Sequence, residues 1–124
     1  MDVLFVAIGG AVGSAGRYGL GQLLNGAVGE FPLATFGANV LAGLIIGFVT
    51  GIASAVGISP RIKLLLTTGL CGGLSTFSTF GLETVRLAQA GNWGMAAANV
   101  IFNVAVCCGA VLAGLWLGSH VVAN

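Results

Sequence analysis

The sequence predicts an all-α membrane protein, a single four-span transmembrane domain over residues 1–124. Three observations carry that prediction. The chain has four Lys or Arg and three Asp or Glu, so 6% of it is charged, against about 25% in an ordinary soluble domain. Hydrophobic residues make up 57%, more than a small water-soluble fold can bury without leaving a large apolar exterior. Glycine occurs 22 times with no collagen-like triplet, which suits membrane helices whose backbones approach closely. This composition excludes an ordinary soluble enzyme, a disordered chain and a nucleic-acid binder working through a basic face.

A spanning helix needs about 20 mainly apolar residues. The first candidate is 3–24, whose one charge is Arg17. It does not read as a cleaved signal peptide, because Asp2 replaces a basic start and the apolar stretch is long. Asn25, Gly26, Gly29, Glu30 and Pro32 form a break. The second span, 33–56, carries no charge. Gly57, Ser59, Pro60, Arg61 and Lys63 form a polar turn, with Pro placed to open the next helix. The third span is 64–87 and the turn 89–92 closes it. The fourth is 93–121, with Trp93 and Trp116 near its ends as interfacial anchors. The short connections make neighbouring helices antiparallel.

Glycines recur four residues apart on every span: Gly9 and Gly13; Gly43, Gly47 and Gly51; Gly69 and Gly73; Gly114 and Gly118. That spacing predicts tight helix packing. Four helices enclose little space, so a pore or cavity calls for at least two copies of the chain.

The third span differs from the rest. Residues 67–80 contain three glycines and six hydroxyl side chains in 14 positions. Glycine disfavours a helix interior, and Ser and Thr offer the backbone competing hydrogen bonds. The expected result is a mid-membrane break near Gly72 to Thr76. Irregular backbone at that depth survives when it is buried in protein or lines a wet cavity. Freed carbonyls there suit a cation; freed N–H groups with hydroxyls suit an anion. A packing seam in an unbroken helix is the other reading.

Other polar residues in the spans are few. Thr35 and Asn39 lie one turn apart on the second. Asn99, Asn103 and Cys107 share one face of the fourth. Such a stripe either ties helices together or borders a conduction path. Arg17 is a functional candidate or snorkels to the interface. Glu83 is placed near the membrane surface, within reach of Arg86. Cys71, Cys107 and Cys108 lack metal-ligand spacing, and His120 has no partner ligand. Nothing here supports catalysis: no carboxylate pair or phosphate-binding loop occurs.

These residues also form a pattern. Gly9-Gly10-x-x-Gly13-x-x-x-Arg17-Tyr18, then Thr35-x-x-x-Asn39, then Cys71-Gly72-Gly73-Leu74-Ser75-Thr76-Phe77-Ser78-Thr79-Phe80 with Glu83, resemble the CrcB/Fluc fluoride channel family. The resemblance runs through the whole chain. It implies a passive fluoride exporter in the inner or plasma membrane of a microbe, conferring fluoride resistance. It implies an antiparallel, dual-topology homodimer with two pores and a central structural sodium ion. By position, the carbonyls of Gly72 and Ser75 would hold that ion. Phe77 and Phe80 match the pore aromatics, and Asn39 would supply an N–H donor. Asn99, Asn103 and Cys107 match the fourth-span polar track, where members often carry Tyr or Ser. Arg17 and Glu83 would sit at the vestibule mouths, and Thr35 and Thr79 would support the centre. A small multidrug exporter of similar size depends on a Glu in its first span, and this chain has none there. An accessory membrane subunit would not need a hydroxyl-rich, broken span.

Charge placement bears on orientation independently. Arg61 and Lys63 lie on the side of the termini; Arg17 and Arg86 approach the other. Orientation follows the Lys/Arg bias of short flanking loops, and here the bias is almost nil.

Overall fold

The computed structural model describes residues 1–24 and 31–123. Of the expected first turn, Asn25, Gly26, Gly29 and Glu30 lie outside the described residues. The described chain is helical: α1 (Asp2–Leu24), α2 (Leu33–Val56), α3 (Pro60–Leu64), a π-helical stretch (Leu65–Cys71), α4 (Gly72–Leu74), α5 (Phe77–Gln89) and α6 (Trp93–Val121). Three helices, α1, α2 and α6, are long and apolar enough to cross a membrane. Between α2 and α6 the described chain is helical in shorter pieces.

Local chemistry explains the helix ends. Pro60 opens α3, where its missing N–H costs nothing. Gly57 (φ 75°) ends α2, and Gly91 (φ 82°) turns the chain between α5 and α6. Both φ values lie in the left-handed region that glycine enters without a Cβ penalty. Asn92 caps α6 by accepting the Met95 N–H at 3.3 Å.

Packing follows the glycines. α2 and α6 contact each other along most of their length. A Cβ on Gly47 would run into the Val111 carbonyl and the Leu115 N–H; one on Gly114 would meet the Leu44 carbonyl and the Phe48 N–H. The second seam joins α1 to the divided segment. There Gly9 faces Leu65 and Leu70, and Gly13 faces Leu70 and Leu74. At both seams backbone lies on backbone, the geometry that small residues permit and that drives helix association where lipid cancels the hydrophobic effect. The main buried apolar cluster is correspondingly thin: Ala38, Ala42, Cys71 and Leu74, with Leu20 and Ile45 against them. All three cysteines are free.

At one end of the bundle Arg61 Nε lies 3.7 Å from Asp2 Oδ1, and its guanidinium sits 5.7 Å from the Phe5 ring centroid. This places the N-terminus beside the turn that precedes α3. Both charged side chains are more than half exposed, so the pair adds little stability.

Candidate functional site

Two consecutive residues between α4 and α5 leave the helical region: Ser75 (φ −80°, ψ 155°) and Thr76 (φ −149°, ψ 125°) are extended. Side chains take over backbone hydrogen bonds around them. In a continuous helix the Thr76 N–H would reach the Gly72 carbonyl. It donates instead to Asn39 Oδ1 on α2, at 2.8 Å. The Thr79 N–H, which would reach the Ser75 carbonyl, donates to Thr76 Oγ1 at 3.2 Å, the N-cap bond of α5. Phe77 opens α5, so the Gly73 carbonyl also lacks a helical donor; Arg17 Nε supplies one at 3.2 Å. Arg17 thus has a partner inside the fold. Ser75 Oγ turns back to the Cys71 carbonyl at 2.7 Å.

The carbonyls of Gly72 and Ser75 are therefore the two whose helical donors have been diverted to side chains. Both residues border one cavity of about 420 Å³. Gly72 is exposed, and a Cβ added there would meet nothing within 4 Å. Two neutral oxygens per chain in an open setting fit a hard monovalent cation, which takes oxygen ligands and needs no carboxylate. The donor set is thus chemically compatible with sodium.

Asn39, Phe77, Phe80, Asn103 and Cys107 border the same cavity. The Phe77 and Phe80 ring centroids lie 5.5 Å apart with planes at 54°. Phe77 is 84% exposed, so one wall of the cavity is open in the single chain. Asn99 does not border it and is 0% exposed; Asn103 is buried as well but borders the cavity.

A second cavity, of about 300 Å³, brings together Arg17, Tyr18, Gln22, Thr35, Thr79 and Glu83. The four sequence-predicted residues of this group come from three different helices. Among the described residues Glu83 forms no salt bridge with Arg86. Its Oε1 accepts the Thr35 hydroxyl at 2.6 Å, and Oε2 is buried without a hydrogen-bond partner. The register of α5 on α2 brings Thr35 within reach.

Sequence reasoning missed Thr76 as a backbone donor, and it missed Thr84 altogether. Thr84 Oγ1 donates to the Phe80 carbonyl at 2.8 Å and accepts from Asn99 Nδ2 at 2.9 Å. A Thr one turn past Phe80 carries no signal of either partner.

Residues 4–115 match the family model described as "CrcB-like protein, Camphor Resistance (CrcB)". A protein of Methylobacillus flagellatus named "Fluoride-specific ion channel FluC" is 47% identical over 98% of this chain and 94% of its own length. One of the same name from Paraburkholderia xenovorans is 50% identical over 83% of this chain and 82% of its own. "Fluoride-specific ion channel FluC 1" of Streptomyces avermitilis is 48% identical over 94% of each. The motif around the interrupted backbone and the match along nearly the whole chain agree: this is a multi-pass membrane protein of the CrcB family.

Proposed function

We propose that the chain is a fluoride-selective ion channel and not an enzyme, letting fluoride leave the cytoplasm of a microbe down its gradient. The carrying observation is the aromatic pair Phe77 and Phe80 beside interrupted backbone in one cavity, in a chain so similar to proteins named for fluoride conduction.

In this reading two copies pack antiparallel and close the open wall at Phe77. The break at Ser75 and Thr76 then lies mid-membrane at the centre of the dimer. Two copies bring four carbonyls, Gly72 and Ser75 from each, around one sodium ion. Bound there, sodium would supply positive charge to offset the mutual repulsion of the carbonyl dipoles. Lys/Arg loads of two against two across the membrane let the chain insert both ways, so one gene makes both halves.

The anion passes the edges of Phe77 and Phe80. An aromatic ring is positive at its edge, so a partly dehydrated anion is stabilised there without a fixed charge. A fixed cation would bind it too tightly for conduction, which needs release as well as entry. The Asn39 N–H that reaches the Thr76 carbonyl does so at 3.3 Å, the longest of the hydrogen bonds made by Asn39 and therefore the most easily given up to an ion. Cys107 offers a weak thiol donor on the same wall. Arg17 and Glu83 stand at the vestibule, and Thr35 and Thr79, expected to support the centre, line that same second cavity.

Ion efflux from proteoliposomes tests this. Fluoride should leave rapidly, chloride should not, and no proton gradient should be needed. Equal fluoride and chloride efflux, or none of either, overturns the reading.

A further inference from the structure

The amides on α6 are connected in one direction. A backbone N–H can only donate, so the Thr76 N–H fixes which Asn39 atom faces it: Oδ1, at 2.8 Å. That turns Asn39 Nδ2 toward Asn103 Oδ1, at 3.0 Å. Asn103 Nδ2 then faces Asn99, donating to its side-chain oxygen at 2.9 Å and its backbone carbonyl at 2.8 Å. Asn99 Nδ2 donates to Thr84 Oγ1 at 2.9 Å, and that hydroxyl donates to the Phe80 carbonyl at 2.8 Å. The far end fixes the same direction independently. A carbonyl only accepts, so Thr84 must donate to Phe80 and accept from Asn99.

The relay leaves at Thr76, the N-cap of α5, crosses α2 and α6, and re-enters α5 at Phe80. It thus clasps the one helical turn that carries Phe77 and Phe80. An amide nitrogen has two hydrogens, and both of those on Asn103 are committed in short bonds. Asn99 is fully enclosed, and Thr84 borders neither cavity.

We infer that Asn99 and Thr84 are positioning residues of the channel: through Asn103 they hold the first turn of α5, and with it both phenyl rings, and they do not touch the ion. This rests on the fluoride-channel reading for its effect on conduction. A hydrogen-bonded chain of this kind is worth more intact than its separate links, so a cut anywhere should loosen both ends.

The decisive residue is Thr84, the end of the relay farthest from the cavity. Thr84→Val keeps the shape and removes the hydroxyl; Thr84→Ser keeps the hydroxyl. Fluoride efflux at several concentrations is measured for both, for Asn99→Leu, and for the Asn99→Leu/Thr84→Val pair. Thr84→Val and Asn99→Leu should each lower maximal efflux about fivefold, the worth of one hydrogen bond. Thr84→Ser should stay within about twofold of the parent, and the double variant within about twofold of the worse single one, as linked residues require. The half-saturating fluoride concentration should not move, since no ion contact is lost. Parental efflux in Thr84→Val, losses that multiply in the double variant, or a shifted half-saturation in Asn99→Leu would each overturn the inference. If Asn99→Leu does not fold, the Thr84 pair still decides. Hydrogen exchange of the Thr76 amide in detergent needs no conduction: it should quicken in Thr84→Val and not in Thr84→Ser, and equal exchange in both overturns the clasp. If the parent moves no fluoride, the functional reading fails, and this exchange measurement still tests the positioning.

Discussion

The seam between α2 and α6 and the junction of α4 with α5 are both rich in small residues, yet they do opposite things. At the seam, Gly47 and Gly114 press helical backbone onto helical backbone, and the helices run on unbroken. At the junction, Gly72 touches nothing across from it, and the helix stops two residues later. The facing helix decides the outcome. Opposite Gly47 stand Val111 and Leu115, whose backbone groups are already paired within α6. Opposite Thr76 stands Asn39, whose amide accepts the N–H that leaves the helix and approaches the carbonyl beside it. Small residues permit an interruption; a polar side chain on a neighbour supplies the hydrogen bonds that sustain it.

The largest expected effect tests the seam. Gly47→Val drives a branched side chain into the Val111 carbonyl and should cost about 3 kcal/mol, at the upper end for overpacking, because backbone has nowhere to go. Monodisperse protein should vanish from size-exclusion profiles, while Gly72→Ala, with open space around it within the single chain, should leave the chain folded and yield as much as the parent. Equal yields would erase the contrast between the two regions.

Next is Asn39→Asp. It keeps the acceptor for Thr76 but loses the donor to Asn103 and adds negative charge on the ion's path. Fluoride efflux should fall about a hundredfold, equivalent to about 2.7 kcal/mol. Near-parental efflux with the carboxylate shown by infrared spectroscopy to be ionised would refute the donor role. Phe77→Ile and Phe80→Ile keep bulk and remove the ring edge; about a tenfold loss in a folded dimer is expected, the upper range of such ring interactions. Efflux within twofold of the parent for both would sink the aromatic path.

The smallest effect concerns the proposed sodium site. Ser75→Ala leaves the backbone oxygen in place and removes one bond to Cys71, so a change of about twofold is expected. Gly72→Val crowds the carbonyl with a β-branched side chain and should abolish any dependence of dimer stability on sodium, read by thermal melts in sodium against a bulky organic cation. Equal damage from both would shift the role from the Ser75 carbonyl to its hydroxyl.

Helical, membrane-spanning character was legible because length and apolarity report directly on the solvent around a helix. α1, α2 and α6 need no partner to announce themselves. The glycine spacing likewise pointed to close packing, since close approach of two backbones requires one residue type at one period. Hydrogen-bond partners were not legible. Glu83 was placed within reach of Arg86, three residues along its own helix, but its hydrogen bond goes to Thr35, 48 residues away. Asn99 was grouped with its α6 neighbours, but its direction was set by Thr84 on another helix. Which faces meet depends on helix rotation, and rotation is decided by all the packing at once.

The relay has a further consequence for a membrane that stores energy as a proton gradient. Chains of water or carboxylic acids pass protons by handing one on and taking one up. A carboxamide does neither near neutral pH, and three of the five links from Thr76 to Phe80 are donated by side-chain amides. The relay behind the cavity is in this sense an electrical insulator for protons, although every member of it is polar. Proteoliposomes given a pH step without fluoride should therefore hold the step as long as empty vesicles do, and a carboxylate placed at Asn103 should shorten that time.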